Sequence, residues 1–155
     1  MKLLTTVSNS DELKAYLTEQ IPTFEYSYSH YTSKRLEKWL FYKPKKLNLP
    51  EVIEAPLDHK LYNLAKAINL DLNIGLITLN SKKHKSKGII TSHRDATYAS
   101  SIAYLINIGN ATFTYDGISY ELKDGGIYKF NCKKLHSVDY CSDMRSEEHT
   151  SELQS

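Results

Sequence analysis

The stretch SIAYLINIGNATFTYDGISYELKDGGIYKF, residues 101–130, decides the fold. Ile102, Tyr104 and Ile106 alternate with Ser101, Ala103 and Leu105, which is the two-residue period of a β-strand. Phe113 and Tyr115 lead into Asp116-Gly117, a strong hairpin signal, because a type I′ turn needs positive φ at both central positions. Ile118, Tyr120 and Leu122 supply the return strand. Asp124-Gly125-Gly126 then turns the chain into Ile127–Phe130. Short strands divided by turn signals predict a sandwich or jelly roll.

Reading outward, the same pattern continues on both sides. Upstream, Ile74 to Leu79 is a short apolar run without helix caps, and Ile89 and Ile90 lead into His93. Downstream, Leu135–Tyr140 reads as the strand that carries His136. The first 70 residues read instead as helical. Ser8 or Ser10 is placed to cap a helix over roughly residues 10–20, with Leu13, Tyr16, Leu17 and Ile21 on one face. Leu36, Trp39 and Leu40 have the spacing of a second short helix, ended before Pro44. Pro56 and Asp58 introduce a third, with Leu57, Leu61, Leu64, Ala65 and Ile68 as its apolar stripe. The expected organisation is α+β: a helical support region (1–70) bracing a β core (71–144).

Within that core stands His93-Arg94-Asp95, with His136 following 41 residues after Asp95. Side chains at i and i+2 of a strand share a face, so His93 and Asp95 are predicted to bind one ion from one strand, with Arg94 turned away. Two imidazoles and one carboxylate form the ligand set of a non-haem Fe(II) facial triad, which leaves positions open for a co-substrate and O₂. His-Arg-Asp also opens a protein-kinase catalytic loop, but Ser100 stands where that loop needs Asn, and no glycine-rich nucleotide loop precedes it.

The run Ile90–Asp95, then Ala103–Asn107, then Leu122–Phe130, then His136-Ser137-Val138 resembles the Fe(II)/2-oxoglutarate-dependent dioxygenases. It looks most like the small aspartyl/asparaginyl β-hydroxylase-type and prolyl-hydroxylase-type members, over roughly residues 72–144. The resemblance implies a double-stranded β-helix (jelly roll) with His93, Asp95 and His136 as the metal ligands. It implies Fe(II), 2-oxoglutarate and O₂ as cofactor and co-substrates, and hydroxylation of a C–H bond with release of succinate and CO₂. The expected substrate is a protein or peptide side chain. A nucleobase or small molecule is an alternative for the same chemistry, and a non-catalytic jelly-roll binding module is an alternative of another class. Tyr104 falls where the β-hydroxylase-type relatives carry a polar co-substrate contact, although their Arg-x-His pair is replaced here by Ser-Ile-Ala-Tyr. The family usually holds the far carboxylate of 2-oxoglutarate with a basic residue shortly after the second His, and Arg145 stands near that place.

Arg145 opens RSEEHTSELQS (145–155), which is codon for codon the translation of a widely used short-read sequencing adapter. The segment is therefore expected to be a non-native tail that packs against nothing. The natural sequence would then stop at or near Met144 with the last strands of the fold missing, and the chain as it stands would be weak or inactive.

Composition fits this reading. Apolar residues make up 41% and charged residues 25%, as in an ordinary globular protein. The net charge is +2, or +4 without the one Arg and three Glu of the tail. That permits a nucleic-acid substrate without arguing for one. The basic run Ser81–Gly88 reads as a solvated loop, or as a mobile loop attracting an acidic substrate. Cys132 and Cys141 build neither a zinc site nor a disulfide framework, which suits reduced thiols in a cytoplasmic protein. No apolar stretch approaches the ~20 residues a membrane span needs. Nothing in the sequence sets an oligomeric state.

Overall fold

The computed structural model describes residues 1–26, 36–40, 42–44, 52–55, 58–72, 74–80, 90–95, 101–141 and 148–154. In chain order the elements are β1 (Lys2–Thr6), α1 (Ser10–Gln20), a 3₁₀ turn (Ile21–Thr23), β2 (Glu25–Tyr26), β3 (Leu36–Leu40), β4 (Tyr42–Pro44) and β5 (Val52–Glu54). There follow α2 (His59–Ile68), β6 (Ile74–Asn80), β7 (Ile90–His93), β8 (Ile102–Ile108), β9 (Ala111–Tyr115) and β10 (Ile118–Leu122). The last elements are β11 (Gly126–Asn131), β12 (His136–Cys141) and β13 (Glu148–Gln154). Among the described residues, a seven-stranded sheet runs in the order β1-β11-β8-β13-β6-β3-β2, a four-stranded sheet in the order β10-β9-β12-β7, and β4 pairs with β5. Every described pairing is antiparallel. This is the expected α+β jelly roll braced by helices.

Strand β8 explains the layering. Ala103 to Ile108 are all buried, so this strand is covered on both faces. Tyr104, Ile106 and Ile108 pack with Leu17 of α1, Leu61 and Ala65 of α2, and Ile77 of β6. Ala103 and Leu105 point the other way, into a second core with Phe113 and Tyr115 of β9, Phe130 of β11 and Val138 of β12. The helices therefore cover the outside of the large sheet, and the second core fills the space between the sheets. At the tip of the β9–β10 hairpin, Asp116 and Gly117 have φ of 50° and 84°, as the Asp-Gly signal requires.

Four expectations are corrected. The helical reading of Leu36, Trp39 and Leu40 gives way to β3, which pairs with β2 on one side and β6 on the other. Helical spacing in five residues is a weak signal, and two neighbouring strands that need partners outweigh it. The region 1–70 is accordingly mixed, and β1 pairs with β11 at the edge of the large sheet. Helix α1 is capped not by Ser8 or Ser10 but by Asn9, whose side chain accepts from the Glu12 N–H at 3.0 Å. The tail expected to pack against nothing instead supplies β13, paired in register with β6 and β8. Between those strands lie two rows of backbone donors and acceptors, which any extended segment satisfies whatever its side chains.

Asp58 caps α2, accepting from Leu61 N–H at 3.0 Å, and also accepts the Tyr16 hydroxyl of α1. Burial, and then the hydrogen bond to Asp58, push the Tyr16 phenol up to about 12. No helix among the described residues is long and apolar enough to cross a membrane.

Candidate metal centre

His136 opens β12 and lies directly across from His93, the last residue of β7. On its other side it pairs with Tyr115 of β9. Because β12 is central in the small sheet, its inward side chains meet the inter-sheet core, and His136 is 2% exposed. Phe113 stacks on its ring (centroids 5.8 Å apart, 21° between planes), and Phe130 meets it edge-on at 5.3 Å. The His93 and His136 rings are 4.4 Å apart, tilted by 56°. Asp95 lies just past the end of β7, so the strand-period argument holds for His93 but not for Asp95. A turn from the other sheet places it instead: the Asp95 N–H donates to the Cys132 carbonyl at 2.9 Å.

The result is one cluster. A ligating atom from each of His93, Asp95 and His136 lies within 4.8 Å of the others. His136 Nε2 is 3.1 Å from Asp95 Oδ1, and His93 Nε2 is 3.5 Å from the same oxygen. The side chain of His136 is 1% exposed, against 10% for Asp95 and 14% for His93, so His136 lies deepest of the three.

The hydrogen bonds fix which nitrogen is available. His93 Nδ1 is 2.8 Å from the Thr91 carbonyl, and His136 Nδ1 is 2.9 Å from the Lys134 carbonyl. A carbonyl oxygen only accepts, so each Nδ1 carries a proton and donates it. In a neutral ring Nε2 then holds the lone pair, and in both rings Nε2 faces Asp95. A lone pair against a carboxylate oxygen is repulsive unless a proton or a metal cation stands between them. Tethering of the distal imidazole N–H to a backbone carbonyl is how metal-binding histidines are oriented. Two imidazole nitrogens and one carboxylate oxygen suit a first-row divalent ion, so the residues present fit a metal. Without the ion, burial pushes the Asp95 carboxyl up. Once a proton also stands on Nε2, hydrogen bonds from the charged His136 and then His93 rings outweigh it, holding the group well below the usual carboxylate range.

The structure thus brings together the three residues picked out by sequence as candidate metal ligands. Tyr104 goes elsewhere, which corrects its reading as a co-substrate contact. It is buried in the helix-facing core, on the opposite face of β8 from Ala103 and Leu105, and its hydroxyl accepts from Asn69 Nδ2 at 3.1 Å. With both faces of β8 buried, alternation alone did not say which face looked toward the metal. Arg145, Cys141's side chain and the basic run 81–88 lie outside the described residues. Cys132 is a buried thiol. Sequence reasoning missed Phe113 and Phe130, the packing neighbours of His136, although their inward phase on their strands was visible.

No family model matches this sequence, and no curated protein matches it. Solved structures do. The non-heme alpha-ketoglutarate-dependent epimerase SnoN from nogalamycin biosynthesis is similar with a TM-score of 0.66 at 9% identity, over 98% of this chain and 75% of that one. An oxidoreductase of the 2OG-Fe(II) oxygenase family from Burkholderia pseudomallei is similar with a TM-score of 0.57 at 11% identity, over 93% and 77%. The chain has the jelly-roll fold of these proteins. At such identities the likeness is one of fold.

Proposed function

We propose that this chain is an Fe(II)/2-oxoglutarate-dependent dioxygenase that hydroxylates a C–H bond, with a protein or peptide side chain as substrate. The observation that carries the reading is the convergence of His93, Asp95 and His136 with both Nδ1–H groups tethered to carbonyls. The fold shared with a 2OG-Fe(II) oxygenase-family protein supports it. When bound, iron with 2-oxoglutarate and O₂ supplies the oxidative decarboxylation that drives C–H hydroxylation.

The chain's own residues do the rest. His93, Asp95 and His136 would hold the ion from one side, leaving the opposite side open to co-substrate and substrate. The two carbonyl tethers keep both rings in the ligating tautomer. Phe113 and Phe130 exclude water behind His136. Asp95, kept ionised, supplies the negative charge that a dication needs.

A small-molecule substrate is the second reading, favoured by the higher TM-score of the epimerase from nogalamycin biosynthesis. A binding module without catalysis has no use for two tethered imidazoles aimed at one carboxylate. The test is succinate release from 2-oxoglutarate after anaerobic loading with Fe(II) and admission of O₂, with a peptide pool and a small-molecule pool in separate arms. Peptide-dependent succinate supports the first reading and small-molecule-dependent succinate the second. No succinate in any arm, from protein shown to hold both iron and 2-oxoglutarate, contradicts both.

A further inference from the structure

Asp95 lies beyond the end of β7, so the strand ladder does not fix its backbone. A metal ligand must nonetheless be held within about 0.5 Å of its working place. The turn between β11 and β12 takes over that task. Cys132 accepts from the Asp95 N–H through its carbonyl at 2.9 Å. The next residue, Lys133, donates from Nζ to the Asp95 carbonyl at 3.2 Å. Both backbone polar groups of Asp95 are therefore taken by two consecutive residues of one turn.

That turn is itself anchored. Cys132 N–H donates to the Ser101 carbonyl at 2.9 Å, and Lys133 N–H donates to Asn131 Oδ1 at 3.0 Å. Asn131 N–H donates to the Tyr115 hydroxyl at 3.1 Å. The same turn presents the Lys134 carbonyl that orients the His136 ring. Residues 131–134 thus set two of the three ligands at once. Of the two contacts the turn makes with Asp95's backbone, one is backbone and survives any substitution. The other is the half-buried side chain of Lys133.

We propose that Lys133 is a positioning residue of the metal centre, whose ammonium locks the Asp95 carbonyl and so aims the carboxylate at His136. The proposal rests on the metal reading above. Partners that orient metal ligands commonly change metal affinity by about 10–100-fold when removed.

The test uses Co(II) as the probe, titrated anaerobically into the full chain and followed by its visible absorption. Lys133→Met keeps an unbranched side chain one atom shorter and removes its charge and donors. Lys133→Arg keeps both. Lys129→Met, an exposed change on β11, serves as the control. We expect Lys133→Met to weaken Co(II) binding about 10–100-fold and to alter the absorption of the bound ion. Lys133→Arg should restore binding to within about threefold of the unmodified chain. Thermal melts of the metal-free proteins should move little. Unchanged affinity and spectrum in Lys133→Met would overturn the proposal alone, and so would a Lys133→Met chain that no longer folds. Failure of the unmodified chain to bind Co(II) would overturn both this proposal and the metal reading beneath it.

Discussion

His93 and His136 face each other across the β7–β12 pair, and each sends its Nδ1–H to the carbonyl two residues before it. The same local device is used twice, on two strands, and leaves both Nε2 atoms directed at Asp95 Oδ1. An arrangement of two imidazole nitrogens and one largely buried carboxylate on a common point is costly unless a positive charge is shared among them.

Acid should expose that cost. Asp95's pKa in the fold lies below its unfolded value. Its contribution to stability is therefore fully present above the unfolded value of about 4 and is lost as pH falls through the folded one. In the metal-free protein, Asp95→Asn should flatten the loss of stability below about pH 4, measured by urea unfolding between neutral and acid pH. An identical acid slope in variant and parent would contradict it.

Phe113 is 1% exposed, stacks on His136 and meets Phe130 edge-on at 5.5 Å. Phe113→Ala should cost about 3–5 kcal/mol in denaturant unfolding, as large aromatic truncations in cores do. It should also weaken metal binding, because the ring of His136 loses its stacked neighbour. Full metal affinity in a folded Phe113→Ala chain would show that the stacking does not position the ligand.

The two helix caps are expected to differ. Asn9→Ala should cost about 1 kcal/mol, the usual loss when a capping side chain is removed. Asp58→Ala should cost about 2 kcal/mol, because it loses the cap of α2 and leaves the Tyr16 hydroxyl without its acceptor. Equal losses would mean that the bridge between the helices carries nothing.

Much of this was legible in the sequence, for physical reasons. The Asp116-Gly117 turn reads directly because only a few residues accept positive φ. His93 and His136 read because each stands on a strand, whereas the two-residue spacing that singled out Asp95 is not what places it. What did not read depends on the third dimension. Leu36–Leu40 is a strand only because β2 and β6 flank it. Tyr104 alternates correctly, but its phase relative to the metal is set by which sheet face the helices cover. Asp95 is placed by a turn 37 residues later, as the Asp95 N–H to Cys132 contact requires.

Gly117 and Gly125 separate backbone strain from crowding. Gly117 has φ of +84° and open space where a methyl group would stand, so Gly117→Ala should cost about 1–2 kcal/mol from conformation alone. Gly125 has φ of +76°, and an added Cβ would lie 3.1 Å from Val7 Cγ2 and 3.2 Å from Ser10 Cβ. Gly125→Ala should cost more, since the turn would push against the start of α1. The reverse order in thermal or urea unfolding would contradict this placement of the turn.

The most direct test is an anaerobic Fe(II) titration of the unmodified chain beside His136→Ala, with circular dichroism confirming that both are folded. The account predicts one Fe(II) bound per chain in the parent and no measurable binding in the variant. Equal binding by the two would contradict a centre built on His93, Asp95 and His136.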